Sequence, residues 1–199
     1  MKTSLLMLVV FFGDVLSIYY AKKSLEKMNS QKKIRKTEIG MLHIFHLFFF
    51  LLIGGKNIEV FYYAMLSSLL LCMSITDAKE KQIVNELFVV LFFFAIVSFF
   101  FVDKNINASF IGSLLAGFPL FLVLKIKKDS IGEGDLYLLL LLGFIVEMEG
   151  IYIVLLVAYL LAFLYSIVLC TFKKANRKSE IAMFPFFYIG YLMFLLFYA

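Results

Sequence analysis

Long uncharged apolar runs, separated by short charged islands, set the pattern of the chain. A helix needs about 20 apolar residues to cross the hydrocarbon layer of a bilayer. Eight runs approach that length: Thr3 to Ala21, Ile39 to Ile53, Ile58 to Thr76, Ile83 to Val102, Ile106 to Leu124, Leu136 to Met148, Ile151 to Thr171 and Ile181 to Ala199. The runs are apolar on all sides, so their length carries more information than their periodicity. The second and sixth are short: at 1.5 Å per residue the sixth covers only about 20 Å of a layer roughly 30 Å thick.

Composition agrees with the pattern. Hydrophobic residues make up 63% of the 199 positions and charged residues only 17%, with a mean hydropathy of +0.98, which excludes an ordinary soluble domain. In hydrocarbon a helix satisfies its own backbone, so the fold class is all-α, a polytopic membrane helix bundle of about eight transmembrane helices. With no Pro- or Gly-rich linker and no internal repeat, residues 1–199 read as one domain.

Charge orients the bundle. All but three of the 19 basic residues fall in four segments: Lys22 to Lys36, Lys79 to Lys81, Lys125 to Lys128 and Lys173 to Lys178. Lys2, Lys56 and Lys104 fall on the other face. The positive-inside rule makes the four segments cytoplasmic and leaves both termini outside. The net charge of +5 then belongs to topology and anionic lipid headgroups, and without basic-aromatic interleaving there is no nucleic-acid partner. The first run lacks a small-residue cleavage site and is followed by seven more, so it reads as a retained helix. Cys72 and Cys170 both lie inside runs, which leaves no disulfide framework and no metal motif.

Several acids stand out against this background. Asp77 closes the third run and Asp135 opens the sixth, so topology puts both at the cytoplasmic rim, where they can meet. Asp135 suits a helix N-terminus, but Asp77 follows a helix C-terminus, where the dipole disfavours an anion and only Lys79 and Lys81 compensate locally. Gly132 and Gly134 flank Glu133 and permit positive φ and a close backbone approach, as a loop presenting Asp135 to a second helix requires. Asp14 lies within the first run, where burying a charge costs about 2.5–3.5 kcal/mol, so it is expected to be protonated or bonded across the bundle. His43 and His46, three apart on the second run, find no completing ligand set and read as helix–helix hydrogen-bonding residues. Asn85 reads as a helix cap or as a partner of Asp77, and Glu147 and Glu149 as solvated loop acids.

The residues 77–85, "DAKEKQIVN", and 132–139, "GEGDLYLL", resemble the two motifs of the type IV prepilin peptidases, D-x6-P-[ND] and G-x-G-D-x-K-L. Asp77, Asn85, Gly132, Gly134 and Asp135 are in register, while Val84 replaces the usual proline and Tyr137 the usual lysine. The likeness extends to "IAMFPFFY", which keeps Ile181, Pro185 and Phe186 of the family's I-P-F-G-P-F-L-A, and to "FFGDVLSIYY", which keeps Gly13 and Leu16. The spacing of 58 residues between the aspartates, with two runs between them, adds to it.

The resemblance implies a membrane aspartic endopeptidase of a prokaryotic plasma membrane that removes the hydrophilic leader of prepilin or pseudopilin-like precursors at the cytoplasmic face. Asp77 and Asp135 would be catalytic, Gly132, Glu133 and Gly134 would form the active-site loop, and Asn85 and Pro185 would support it. No cofactor or metal is implied. Larger members carry paired C-x-x-C motifs in the first cytoplasmic loop together with an N-methyltransferase activity, and this loop holds no cysteine. Two carboxyls sharing one proton supply both a base for water and an acid for the carbonyl oxygen. Two alternatives differ in class: a small cation-coupled transporter using Asp14, Asp77 and Asp135, and a catalytically silent assembly factor.

Overall fold

A computed structural model describes residues 2–28, 34, 36–53, 58–127, 132–172 and 181–198. Most of the described residues are helical, in seven elements: α1 (Lys2–Lys27), α2 (Lys36–Ile53), α3 (Ile58–Glu80), α4 (Asn85–Phe101), α5 (Ile106–Ile126), α6 (Glu133–Thr171) and α7 (Phe184–Tyr198). The side chain of His43, together with Lys56, Lys128 and the basic segment 173–178, lies outside the described residues.

Among the described residues, four helical stretches are long and apolar enough to cross a membrane: Leu5–Lys27, Glu59–Glu80, Ile106–Ile126 and Glu133–Thr171. Gly40–Ile53, Asn85–Phe101 and Phe184–Tyr198 are apolar but shorter. At 1.5 Å per residue, a helix of 15 residues such as α7 reaches about 22 Å, less than a full hydrocarbon layer.

The expected sixth and seventh runs are one element, α6, broken at Glu147, whose φ of 62° and ψ of −178° are not helical. α5 packs along the first half of α6, with Gly117 against Leu140 and Gly112 against Gly143. A Cβ on Gly112 would stand 2.6 Å from the Gly143 carbonyl oxygen, so the two backbones touch, as small residues allow between membrane helices. α7 packs along the second half instead, pairing the Phe187 ring with Tyr159 at 6.1 Å and Phe186 with Tyr165 at 5.6 Å. The start of α7 also reaches the start of α6, where Phe184 faces Gly134. Both ends of α6 thus lie at the head of α7, and α6 is a hairpin that reverses at Glu147.

The reversal is held from the α4–α5 connection. Lys104 Nζ donates to the carbonyls of Phe144 at 2.8 Å and Ile145 at 2.7 Å, which the break in the helix would otherwise leave unpaired. The Asn105 N–H donates to Glu147 Oε1 at 2.9 Å. Burial pulls the Lys104 ammonium down to about 8 against the opposing influence of Glu147. Glu147 is therefore a half-buried hinge residue, which corrects its reading as a solvated loop acid; Glu149 is exposed as expected.

α3 is the most enclosed of the four long helices and packs against α1, α7 and α4. Outward sides of the other helices expose large apolar residues such as Phe45, Phe100 and Leu156, as surfaces facing lipid do. One end of the bundle gathers ion pairs from the expected cytoplasmic segments, Lys27 with Glu86 and Lys79 with Glu38 at 2.8 Å. The other end gathers Glu59, which accepts from the Asp103 N–H at 3.3 Å and the Tyr198 hydroxyl at 2.9 Å.

Candidate active site

Asp77 occupies the last turn of α3 and is 7% exposed. α3 ends just beyond it because Lys81 turns to a φ of 54° and returns its N–H to the Asp77 carbonyl at 2.7 Å. The Asp77 side chain accepts the Phe184 N–H at 3.0 Å, and the backbone of Met183 also donates to it. Phe184 opens α7, and Pro185, which has no N–H to lose, occupies the same first turn. The positive end of α7 thus supplies what the end of α3 denies. The compensation comes from 107 residues away and adds to the local lysines that the sequence offers.

Asp135 sits in the first turn of α6 and is partly buried. The G-x-G-D stretch is thus the start of a helix, so the short sixth run gains length from within it. Gly132 is the N-cap, with an extended φ of −67°, so it uses none of the positive-φ freedom expected of it. The Asp135 carboxyl accepts from the Gly132 backbone three residues back, the geometry of half a capping box. Gly134 does serve close approach: a Cβ there would stand 3.3 Å from Phe88 Cζ and 3.9 Å from Phe184 Cε2.

The two carboxyls come within electrostatic reach of each other, Asp135 sensing the Asp77 charge. Tyr159, from the returning half of α6, in turn senses Asp135. Phe88, Tyr137 and Phe184 form a ring cluster beside them, with centroids 6.0 and 6.2 Å from Phe88. α3, the two halves of α6, and the heads of α4 and α7 therefore converge on one place at the end of the bundle that carries Lys79 and Lys81.

Other sequence-marked residues fall around this centre or away from it. Glu133 is exposed one residue into α6. Asn85 is exposed at the first position of α4, and the cap position belongs to Val84, with no side-chain cap bond, so Asn85 is not the cap. Asp14 and His46 are fully buried and bonded to each other at a separate place, between α1, α2 and α3. The sequence reading missed the Phe184 N–H and Tyr159; Pro185, as a marker of a helix start, was the only signal for the first. Among the described residues no group of three or more His, Cys, Asp or Glu side chains is placed to hold a metal ion.

An acid pair at the end of a bundle of apolar helices is thus the candidate centre of a membrane protein. Residues 64–167, just over half of the chain, match the type IV leader peptidase family. The chain belongs to that family, a family of proteases, and the matched region runs from the middle of α3 through most of α6, including both aspartates. No curated protein and no solved structure matches the chain.

Proposed function

We infer that the protein is an aspartic endopeptidase that cuts the hydrophilic leader from type IV prepilin-like precursors at the cytoplasmic face of a prokaryotic plasma membrane. Asp77 and Asp135 are its catalytic pair. The observation that carries this reading is the meeting of two acid-bearing helix ends at the head of α7, where the Phe184 N–H donates to Asp77 at 3.0 Å and the Phe184 ring lies against Gly134, next to Asp135. Family membership supports the leader-peptidase class.

In this mechanism the pair holds one proton between its carboxyls and titrates as a unit. The ionised member takes a proton from water as the water attacks the scissile carbonyl; the protonated member donates to the carbonyl oxygen, and the pair returns to its starting state after the amine leaves. A site at the rim keeps water in reach and spares an extended peptide the cost of unpaired backbone in lipid. Gly134 lets Phe88 and Phe184 close in beside Asp135 and so shapes the approach of the substrate, Glu133 faces the positive charges of the leader, and Pro185 fixes the turn whose N–H groups hold Asp77. Eight membrane passes, with the α6 hairpin counted as two and the termini outside, complete the arrangement.

A cation-coupled transporter would carry its acid at the membrane midplane on a broken helix. Here the broken helix, α6, has its acids at its head and at its hinge, which weighs against that reading. Co-expression with a precursor, followed by mass measurement of the product N-terminus, tests the proposal: a new N-terminus that depends on Asp77 and Asp135 supports it, and cleavage without either overturns it.

A further inference from the structure

Away from the acid pair, a second polar cluster lies wholly inside the bundle. Asp14 Oδ1 on α1 is bonded to His46 Nδ1 on α2, and His46 Nε2 is 2.7 Å from Ser67 Oγ on α3. All three residues are fully buried. Next to them, the Ser68 hydroxyl lies 3.4 Å from Asp14 Oδ1, and Ser17 on α1 donates to the Ser68 carbonyl. Gly13 makes room for this contact, since a Cβ there would stand 2.6 Å from Ser68 Oγ.

The order Asp, His, Ser is that of a nucleophilic triad, but all three side chains are sealed inside the bundle, where no substrate reaches the Ser67 hydroxyl, and that hydroxyl also lies 2.7 Å from the Ala64 carbonyl of its own helix. The cluster is therefore a polar tie between α1, α2 and α3.

What the cluster does follows from where it grips. Two consecutive residues of α3 are held by α1 and α2, and α3 then runs from Ser67 to Asp77 with no glycine or proline to bend it. Rotation about a helix axis is poorly fixed by apolar packing in a membrane, because lipid is as apolar as the neighbouring helices. One residue of rotation is about 100°, which would carry the Asp77 carboxyl away from the heads of α6 and α7. We propose that Asp14 and His46 are positioning residues for the reaction: gripping Ser67 and Ser68, they set the rotation of α3 and so aim Asp77 at Asp135. This rests on the catalytic pairing inferred above.

The test uses the full-length protein in lipid vesicles. In a background with Cys72 and Cys170 replaced by alanine, Asp135→Cys is combined in turn with Thr76→Cys, Asp77→Cys and Ala78→Cys, and the disulfide yield under mild oxidation is compared. Position 77 should dominate. With Asp14→Leu/His46→Leu, the preference for 77 should be lost and yield should appear at 76 or 78. Ser67→Ala/Ser68→Ala, which keeps α3 short-chained and apolar, should move it the same way. In proteins with native aspartates, the same changes should lower kcat by about 10²-fold with KM unchanged. An unaltered preference for position 77 in either variant overturns the proposal. Cross-linking does not depend on catalysis, so cleavage by Asp77→Asn would remove the catalytic reading and leave the rotation result standing.

Discussion

Breaking the Asp14–His46 pair should cost far more than deleting it. Asp14→Leu alone takes the partner from Nδ1 of the buried His46, and His46→Leu alone takes the imidazole from a buried carboxyl. Removing one partner of a buried pair costs about 3–5 kcal/mol, whereas replacing both by apolar residues of similar size is often neutral or stabilising. Hydrogen bonds between membrane helices average only about 0.6 kcal/mol, because the unfolded chain in lipid also finds partners, so the lower end of that range applies. Each single variant should lose about 3 kcal/mol and the double variant under about 1 kcal/mol, a coupling energy of several kcal/mol. Ser67 also loses its His46 contact in the double variant but keeps its bond to Ala64, so no hydroxyl is stranded there. Equilibrium unfolding in mixed micelles of increasing SDS fraction measures all three. Additive losses, with the double variant about 6 kcal/mol down, would refute the reasoning, since the pair would then not act as one coupled unit.

Three further outcomes follow from other parts of the structure. Gly112→Ala pushes a methyl into the Gly143 carbonyl and the backbone at Glu147, where no rotamer change gives relief, and should destabilise by about 1–3 kcal/mol; Gly40→Ala meets nothing within 4 Å and should be neutral or stabilising by up to about 1 kcal/mol, both read by thermal unfolding in detergent. Lys104 has its pKa drawn down to about 8 by burial, so between pH 8 and the normal lysine range the unfolded chain binds the extra proton. Stability should therefore rise with pH across that window relative to Lys104→Met, and parallel pH profiles of the two proteins would contradict it. Gly134→Val would press against Phe88 and Phe184 at the substrate approach and should cut cleavage by at least about tenfold through overpacking, as followed by precursor processing.

The membrane character of the chain and the two acids were legible because hydrocarbon imposes run lengths and exacts a cost for charge. The reversal at Glu147 was not, since a glutamate carries no turn signal and its support, Lys104, comes from a connection 43 residues earlier. The same limit applies to Asp77: its surroundings on α3 are unfavourable, and the relief comes from the head of α7, a contact that only the packed bundle creates. Asp14 and His46 could be read singly as residues needing partners, but an apolar stretch gives no register from which to pair α1 with α2. Of the glycines of G-x-G-D, Gly132 caps α6 in an extended conformation and uses no positive φ, while Gly134 does allow a close approach, that of Phe88. For α2, α4 and α7 the apolar runs located the helices, each of which is shorter than the four long ones.

The most direct measurement is cleavage of a co-expressed prepilin-like precursor by the native protein, Asp77→Asn and Asp135→Asn, with each variant's amount in the membrane quantified. Either asparagine leaves the side chain's size and its backbone hydrogen bonds nearly intact but removes a group that can exchange a proton. Full-length precursor with both variants, at native membrane levels, is the expected result. Processing by either one would contradict the assignment of the acid pair.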